Sequence, residues 1–260
     1  MIRFPRRTAL ALAAAAWATA AAAVPDDTLV RRLEHAHLTG DAATLAACRQ
    51  ELAARFEAEG PRGGLRYTLA YVEWRLAHLP GGGDADDLLE SAQEALEANV
   101  EADPGDIESR ALLAGILGER IGRAPIRGLV LGRRADAHLR LAVEAAPDNP
   151  RVVLQQGVAA LFEPSMFGGS VEEAERRLRR AAALFARQPE EASWPNWGRI
   201  DALGWLGQAL VRQGRRAEAR AVYEQALALE PEAVFIRRHL LPQLDGEAAS
   251  PGPRGDGSRR

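Results

Sequence analysis

The sequence predicts an all-α chain, built as a solenoid of helical hairpins with irregular inserted loops. Three observations carry that expectation. Apolar residues recur at spacings of three and four, which places them on one face of a helix rather than of a strand. Helix-length segments alternate with breaks rich in glycine, proline or aspartate, so successive helices double back on one another. Small residues return at matched places in successive pairs, where they let helix axes approach closely.

The elements follow in chain order. Arg3, Arg6 and Arg7 precede an alanine-rich apolar stretch from Ala9 to Ala23, with small residues at Ala18, Ala20, Ala21 and Ala23 suited to cleavage. That arrangement is a signal peptide over residues 1–23. The chain is therefore expected to be exported, and to be periplasmic or secreted after the signal is removed. The neighbours of the Arg6-Arg7 pair depart from a strong twin-arginine signal. No later stretch reaches the roughly 20 unbroken apolar residues that a bilayer crossing needs.

Residues 26–39 and 42–59 form the first helix pair around Gly40-Asp41, with Asp41 as the N-cap of the second helix. Leu65 to Leu79 and Asp87 to Asp103 form the next, separated by Pro80-Gly81-Gly82-Gly83. Asp84, Asp86 and Asp87 follow those glycines, where carboxylates cap backbone donors and meet the positive end of the helix dipole. Their spacing is not that of a calcium loop. A third pair runs from Ala111 through Ala114, Gly115, Ala135, Leu139 and Ala142 to Pro147, with a long connection expected over about Arg120 to Leu131.

In the fourth pair, Val153 and Gly157 match Ala174, Leu178 and Ala181 across a loop from Glu163 to Gly169. Ser170 followed by Glu173 is a capping box, so the helix after the loop starts at Val171. Within the loop, Pro164 stops a helix, Met166 and Phe167 offer soft apolar contacts, and Gly168-Gly169 opens backbone angles closed to other residues. The loop suits either recognition or an internal plug, the simpler reading being that Met166 and Phe167 fold back over the core. In the fifth pair, Leu203, Leu206, Gly207 and Leu210 share one face before a break at Gln213-Gly214. Ala219, Val222, Tyr223, Ala226 and Leu229 then line the returning helix. Residues 246–260 are rich in Gly, Ala, Ser, Pro and Arg and are expected to be a disordered tail, leaving 24–245 as one continuous helical domain.

The fifth pair resembles a tetratricopeptide repeat, with Leu203, Leu206, Gly207, Leu210, Ala219, Tyr223, Ala226 and Pro231 at the family's spacings. The resemblance implies a tetratricopeptide-like solenoid for the whole helical region. Over residues 65–241 the chain is also similar to exported bacterial repeat proteins that combine irregular hairpins with an aromatic-Gly-Gly insertion, here Phe167-Gly168-Gly169, and a regular final repeat containing Trp205-Leu206-Gly207. A weaker resemblance, to the T components of tripartite ATP-independent periplasmic (TRAP) transport systems, implies a helical scaffold that meets a solute-binding protein.

Composition narrows the function. All 33 basic residues are arginine and are set against 36 acidic ones, for a formal charge of −3. A general grip on nucleic acid is not implied. Arg176, Arg177, Arg179, Arg180, Arg212, Arg215, Arg216 and Arg220 mix with nearby acids as a repeat surface does. The lone Cys48 excludes an internal disulfide and reads as a small buried residue. His35, His37, His78, His138 and His239 are dispersed and mark no metal site. Without a lysine the chain has no conventional P-loop, and it has no Gly-x-Ser-x-Gly elbow. No catalytic residue, cofactor or metal is therefore assigned.

Preordered helices lower the conformational cost of presenting a broad surface, so the expected function is noncovalent recognition. The leading expectation is a non-catalytic scaffold or adaptor that binds another periplasmic or envelope protein. The alternatives are an accessory solute-binding component of a tripartite transport system, with a small solute as ligand, and an enzyme whose site is assembled from distant residues. Candidate partner contacts are Met166, Phe167, Trp194, Trp197, Arg199 and Gln208. Trp194, Trp197 and Trp205 gather around Pro195-Asn196, which suits packing at the entrance of the last repeat as well as stacking on a partner. Arg110 and Gln155 are further polar positions on first helices that would line a groove.

Overall fold

A computed structural model describes residues 27–189 and 194–246. The expected signal peptide and the expected tail beyond Gly246 lie outside the described residues. Among the described residues, ten helices pair into five hairpins: α1 (Asp27–Thr39) with α2 (Ala42–Glu59), α3 (Gly63–Leu76) with α4 (Ala85–Ala102), α5 (Ile107–Arg123) with α6 (Gly128–Ala145), α7 (Pro150–Phe162) with α8 (Val171–Phe185), and α9 (Arg199–Arg212) with α10 (Arg216–Leu229). A π-helical turn, Ile236–Leu240, leads into a short α11 (Leu241–Gly246). Consecutive helices pack on each other, and the first helices also pack side by side, α3 on α5, α5 on α7 and α7 on α9. This is the stacked arrangement of a solenoid, with a main hydrophobic core running from Leu29 to Leu244 and a small separate cluster of Ala111, Ala142 and Val152. No described helix is long and apolar enough to cross a membrane.

The helix starts follow their local chemistry. Asp41 accepts from the Thr44 amide at 3.0 Å, and Asp84 accepts from the amides of Asp86 and Asp87 at 2.9 and 3.2 Å. Ser170 accepts from the Glu173 amide at 3.2 Å, starting α8 at Val171. The reciprocal half of the expected capping box is absent, because Glu173 turns to Arg176 and Arg177, while the Ser170 hydroxyl donates to Glu172.

Small residues make the hairpins close. A Cβ at Gly207 would overlap the Tyr223 ring, and one at Gly157 would sit 2.7 Å from Leu178. The third hairpin differs from expectation in its connection. Arg120 lies within α5 and Leu131 within α6, leaving only a short 3₁₀ turn, Pro125–Arg127, between them. The helices extend because Leu131 is buried against the core, with Ile121 packed alongside. Cys48 is buried in α2, with the Arg32 Nε donating to its sulfur at 3.4 Å.

Candidate functional site

A tetratricopeptide-like stack ordinarily offers a groove along its first helices, and here that groove is filled from within. Helix α3 carries Tyr67, Tyr71 and Trp74 about one helical turn apart, and His78 in the turn just after it continues the stripe by packing edge-on against Trp74. The segment entering α9 lays Trp194 and Trp197 against that stripe. Trp194 Nε1 donates to Thr68 Oγ1 at 2.9 Å and Trp197 Nε1 to the Tyr67 hydroxyl at 2.9 Å. Tyr71 meets Trp194 edge-on at 5.1 Å between centroids, and Trp197 at 5.3 Å. Each indole N–H is satisfied, which is what permits two such large side chains to be buried.

An ionic contact ties the same elements together across 126 residues. Arg75 makes a forked pair with Asp201 of α9, at 2.9 and 2.7 Å, and its guanidinium lies 4.1 Å from the Trp74 ring centroid and 5.3 Å from that of Trp197. Burial opposes the Arg75 charge, but the Asp201 carboxylate outweighs it and raises the pKa. Asp201 is depressed for the matching reason, Arg75 overcoming its burial. From α1, Glu34 accepts the Tyr71 hydroxyl at 2.7 Å. Glu34 keeps a strip of accessible surface, yet its carboxyl is enclosed enough that burial pushes its pKa up to about 7. Burial, reinforced by Arg75, takes His37 down to about 3, so this imidazole is neutral near pH 7. Perturbed groups of this kind often mark reactive sites. Here Glu34, Tyr71, Arg75 and Asp201 are engaged with one another, and their arrangement fastens α1, α3 and α9. Among the described residues, no group of three or more His, Cys, Asp or Glu side chains is placed to hold a metal ion.

Two clefts open on the outside. The larger, of about 290 Å³, lies between α8, α9 and α10. Ala182, Ala186, Leu203 and Val222 contribute to its apolar walls, and Arg179 and Arg199 bring charge to them. The smaller, of about 130 Å³, sits between α9, α10 and the C-terminal helical turn, with Gln208, Arg212 and Tyr223 among its lining residues.

The six candidate contacts are therefore dispersed. Arg199 and Gln208 each line one outer cleft, whereas Trp194 and Trp197 face inward. Met166 is 82% exposed, so it does not fold back over the core as the simpler reading of its loop expected. Its 3₁₀ turn ends at Gly168, with φ of +99°, and carries the side chain outward. The Phe167 side chain lies outside what is described. Arg110 and Gln155 are buried rather than displayed, Arg110 donating to the Pro104 carbonyl at 3.0 and 2.8 Å.

Sequence reasoning missed the Glu34–Tyr71–Arg75–Asp201 connection. The aromatic stripe at 67, 71, 74 and 78 was a readable signal for one half of it, but nothing local links that stripe to Asp201.

Comparison with known proteins agrees with this geometry. The tetratricopeptide repeat family model matches residues 200–233, the α9–α10 hairpin and the turn after it. The fold is that of a tetratricopeptide-repeat protein. A thermophilic tetratricopeptide-repeat protein from Thermus thermophilus superposes with a TM-score of 0.58 at 21% identity, covering 78% of this chain and 91% of its own. The HusA haemophore from Porphyromonas gingivalis gives 0.57 at 26% identity, covering 72% and 92%. No curated protein matches the chain. Relative to the regular tetratricopeptide hairpin at its C-terminal end, this protein adds the Trp194–Trp197 plug and the inserted turns of the third and fourth hairpins.

Proposed function

We propose that this chain is an exported, non-catalytic adaptor that acts in the periplasm or outside the cell and holds another polypeptide on its helical-repeat surface. The observation that carries the reading is the cleft between α8, α9 and α10. Its apolar walls and the exposed Arg199 suit an apolar side chain flanked by an acidic one on the partner, Arg179 being held by Glu175. Arg199 and Gln208 act as contacts at the two clefts, and Met166 and Phe167 form a separate contact on the inserted turn. Trp194 and Trp197 serve from behind by holding α9 in place, so the cleft is preorganised and little ordering cost falls on binding.

Small-solute carriage, as an accessory to a tripartite transport system, is the alternative. One structural relative is a haemophore, but in this chain Trp194 and Trp197 are packed and hydrogen-bonded against α3 and the two clefts described open outward, which favours a polypeptide held outside.

A photocrosslinker placed at Gln225, on the rim of the larger cleft, tests the proposal in cells that make the full chain. One defined protein adduct is expected. It should disappear in the Arg199→Glu/Leu229→Glu variant, whose altered side chains are accessible at the cleft, while the melting temperature stays unchanged. No protein adduct, or an adduct indifferent to that variant, overturns the reading. Recovery of the protein in the culture medium or periplasmic fraction checks export.

A further inference from the structure

The most exposed apolar surface belongs to neither cleft. At the turn between α5 and α6, Ile126 is 96% exposed, Leu129 72% and Val130 65%. Loose packing is not the cause. A Cβ at Gly128 would lie 3.3 Å from Ile121 and one at Gly132 3.9 Å from it, so the inner side of this turn is already closed onto α5. The apolar side chains that stand outward face solvent with the inner space filled. Single exposed apolar residues need no explanation, but three within about one helical turn do.

Along this stretch of the chain the charge is one-sided, although α4 sets acids opposite part of it. Between Glu119 and Asp136 the chain carries Arg120, Arg123, Arg127, Arg133 and Arg134 and no acidic residue, in a protein whose formal charge is negative. Arg120, Arg123 and Arg134 lean back to Glu90, Asp86 and Glu97 of α4. Arg133 is exposed beside Leu129 and Val130. The neighbouring inserted turn is different, since Met166 lies among Glu163, Glu172 and Glu173 in the chain. The basic and apolar combination thus belongs to the α5–α6 turn and not to its neighbour.

We propose that this turn docks the protein on an anionic phospholipid surface, seating Ile126, Leu129 and Val130 in the interfacial layer while the exposed Arg133 meets headgroup phosphates. Apolar residues beside arginines on one short helical surface are what an interfacial element requires, and each basic group near an anionic leaflet adds attraction that salt weakens. The area also distinguishes the occupants. Three side chains fall well short of the roughly 800 Å² per partner that a stable protein interface buries, whereas shallow insertion in a bilayer needs only a small projecting tip. This surface is independent of the cleft proposed for a polypeptide, and the two together describe an adaptor held at a membrane face.

Cosedimentation of the full chain with vesicles tests the proposal, using phosphatidylcholine alone and phosphatidylcholine mixed with phosphatidylglycerol. Binding is expected only to the mixed vesicles and should weaken as salt is raised. The Ile126→Glu/Leu129→Glu/Val130→Glu variant should lower the partition coefficient about tenfold or more, with an unchanged melting temperature. Arg133→Glu, which leaves the apolar residues in place, should weaken binding and flatten its salt dependence. Absence of binding by the parent overturns the proposal. So does equal binding by parent and both variants, which would assign adhesion to the apolar segment near the N-terminus. A concentration-dependent dimer abolished by the triple variant, with no vesicle binding, would assign the tip to a second copy of the chain instead.

Discussion

In the α9–α10 hairpin the decisive contact is between consecutive helices, Gly207 lying against the Tyr223 ring across a tight turn. In the inner groove it joins residues 126 positions apart, the Arg75 fork on Asp201, with Trp197 stacked near the guanidinium and Glu34 bound to Tyr71. The first contact is steric and sets how closely two helices approach. The second is electrostatic and sets where the last repeat sits relative to the first two hairpins. Asp201 belongs to the same helix as Gly207, so one helix is fixed twice by different physics. The contrast explains why the last repeat is regular in sequence although its placement depends on residues far away.

The strongest way to break the comparison is to remove one partner of the buried pair. Asp201→Ala leaves Arg75 charged and enclosed, and should lower the unfolding free energy by about 3–5 kcal/mol, read by urea denaturation. Arg75→Met/Asp201→Leu should recover most of that loss, because the desolvation cost is removed together with the attraction. A single variant within about 0.5 kcal/mol of the parent would show that the fork does not hold the ends together. Next in size is Gly207→Ala. Its added methyl group must displace a packed ring, for a loss of about 1–3 kcal/mol, and Tyr223→Leu combined with it should cost less than the sum of the two single changes.

The pH dependence sharpens the electrostatic half. Glu34 has its pKa raised by burial to about 7, so it contributes stability that is fully present below about pH 4.3, its unfolded value, and is lost as pH rises through 7. His37, lowered by burial to about 3, acts in the opposite sense. The unfolded chain takes up a proton near pH 6.5 that the folded chain refuses, so stability falls as pH drops from there toward 3. Between about pH 4.5 and 6.5 the two slopes oppose each other. Glu34→Gln should expose the histidine slope, giving stability that climbs with pH by on the order of 1–2 kcal/mol across that window after allowance for the water that reaches the groove edge. Urea midpoints measured at several pH values check the sign, and a variant that loses stability as pH rises there would contradict the assignment. The smallest effect is local to one helix start. Ser170→Ala should cost about 1 kcal/mol, detected as a lower melting temperature with no change in the groove's pH profile.

What could be read in advance follows the range of the interactions. The caps Asp41, Asp84 and Ser170, the break at Gln213-Gly214 and the small residues Gly157 and Gly207 act within a few residues or between adjacent helices, and the pattern of the chain displays them directly. The third connection is shorter than the sequence pattern suggests because Leu131 joins the core through contacts its neighbours do not announce. Arg110 and Gln155 looked like groove contacts, yet both are buried, a matter of helix rotation that spacing alone leaves open. Of the candidate site, Arg199 and Gln208 fall at clefts and Met166 faces solvent, whereas the two tryptophans turn inward to hydrogen-bond α3.

By itself the sequence determined that this chain forms helices, where most of them begin, and that pairs of them close into tetratricopeptide-like hairpins, because propensity, capping and side-chain size are local properties. Only the tertiary structure decided that the groove is filled by Trp194 and Trp197, that Arg75 finds Asp201, and that Ile126, Leu129 and Val130 are left facing outward. Those outcomes depend on how five hairpins stack and how each helix turns about its axis. Such positions are set by the mutual exclusion and desolvation of all the packed side chains together, which no single segment encodes.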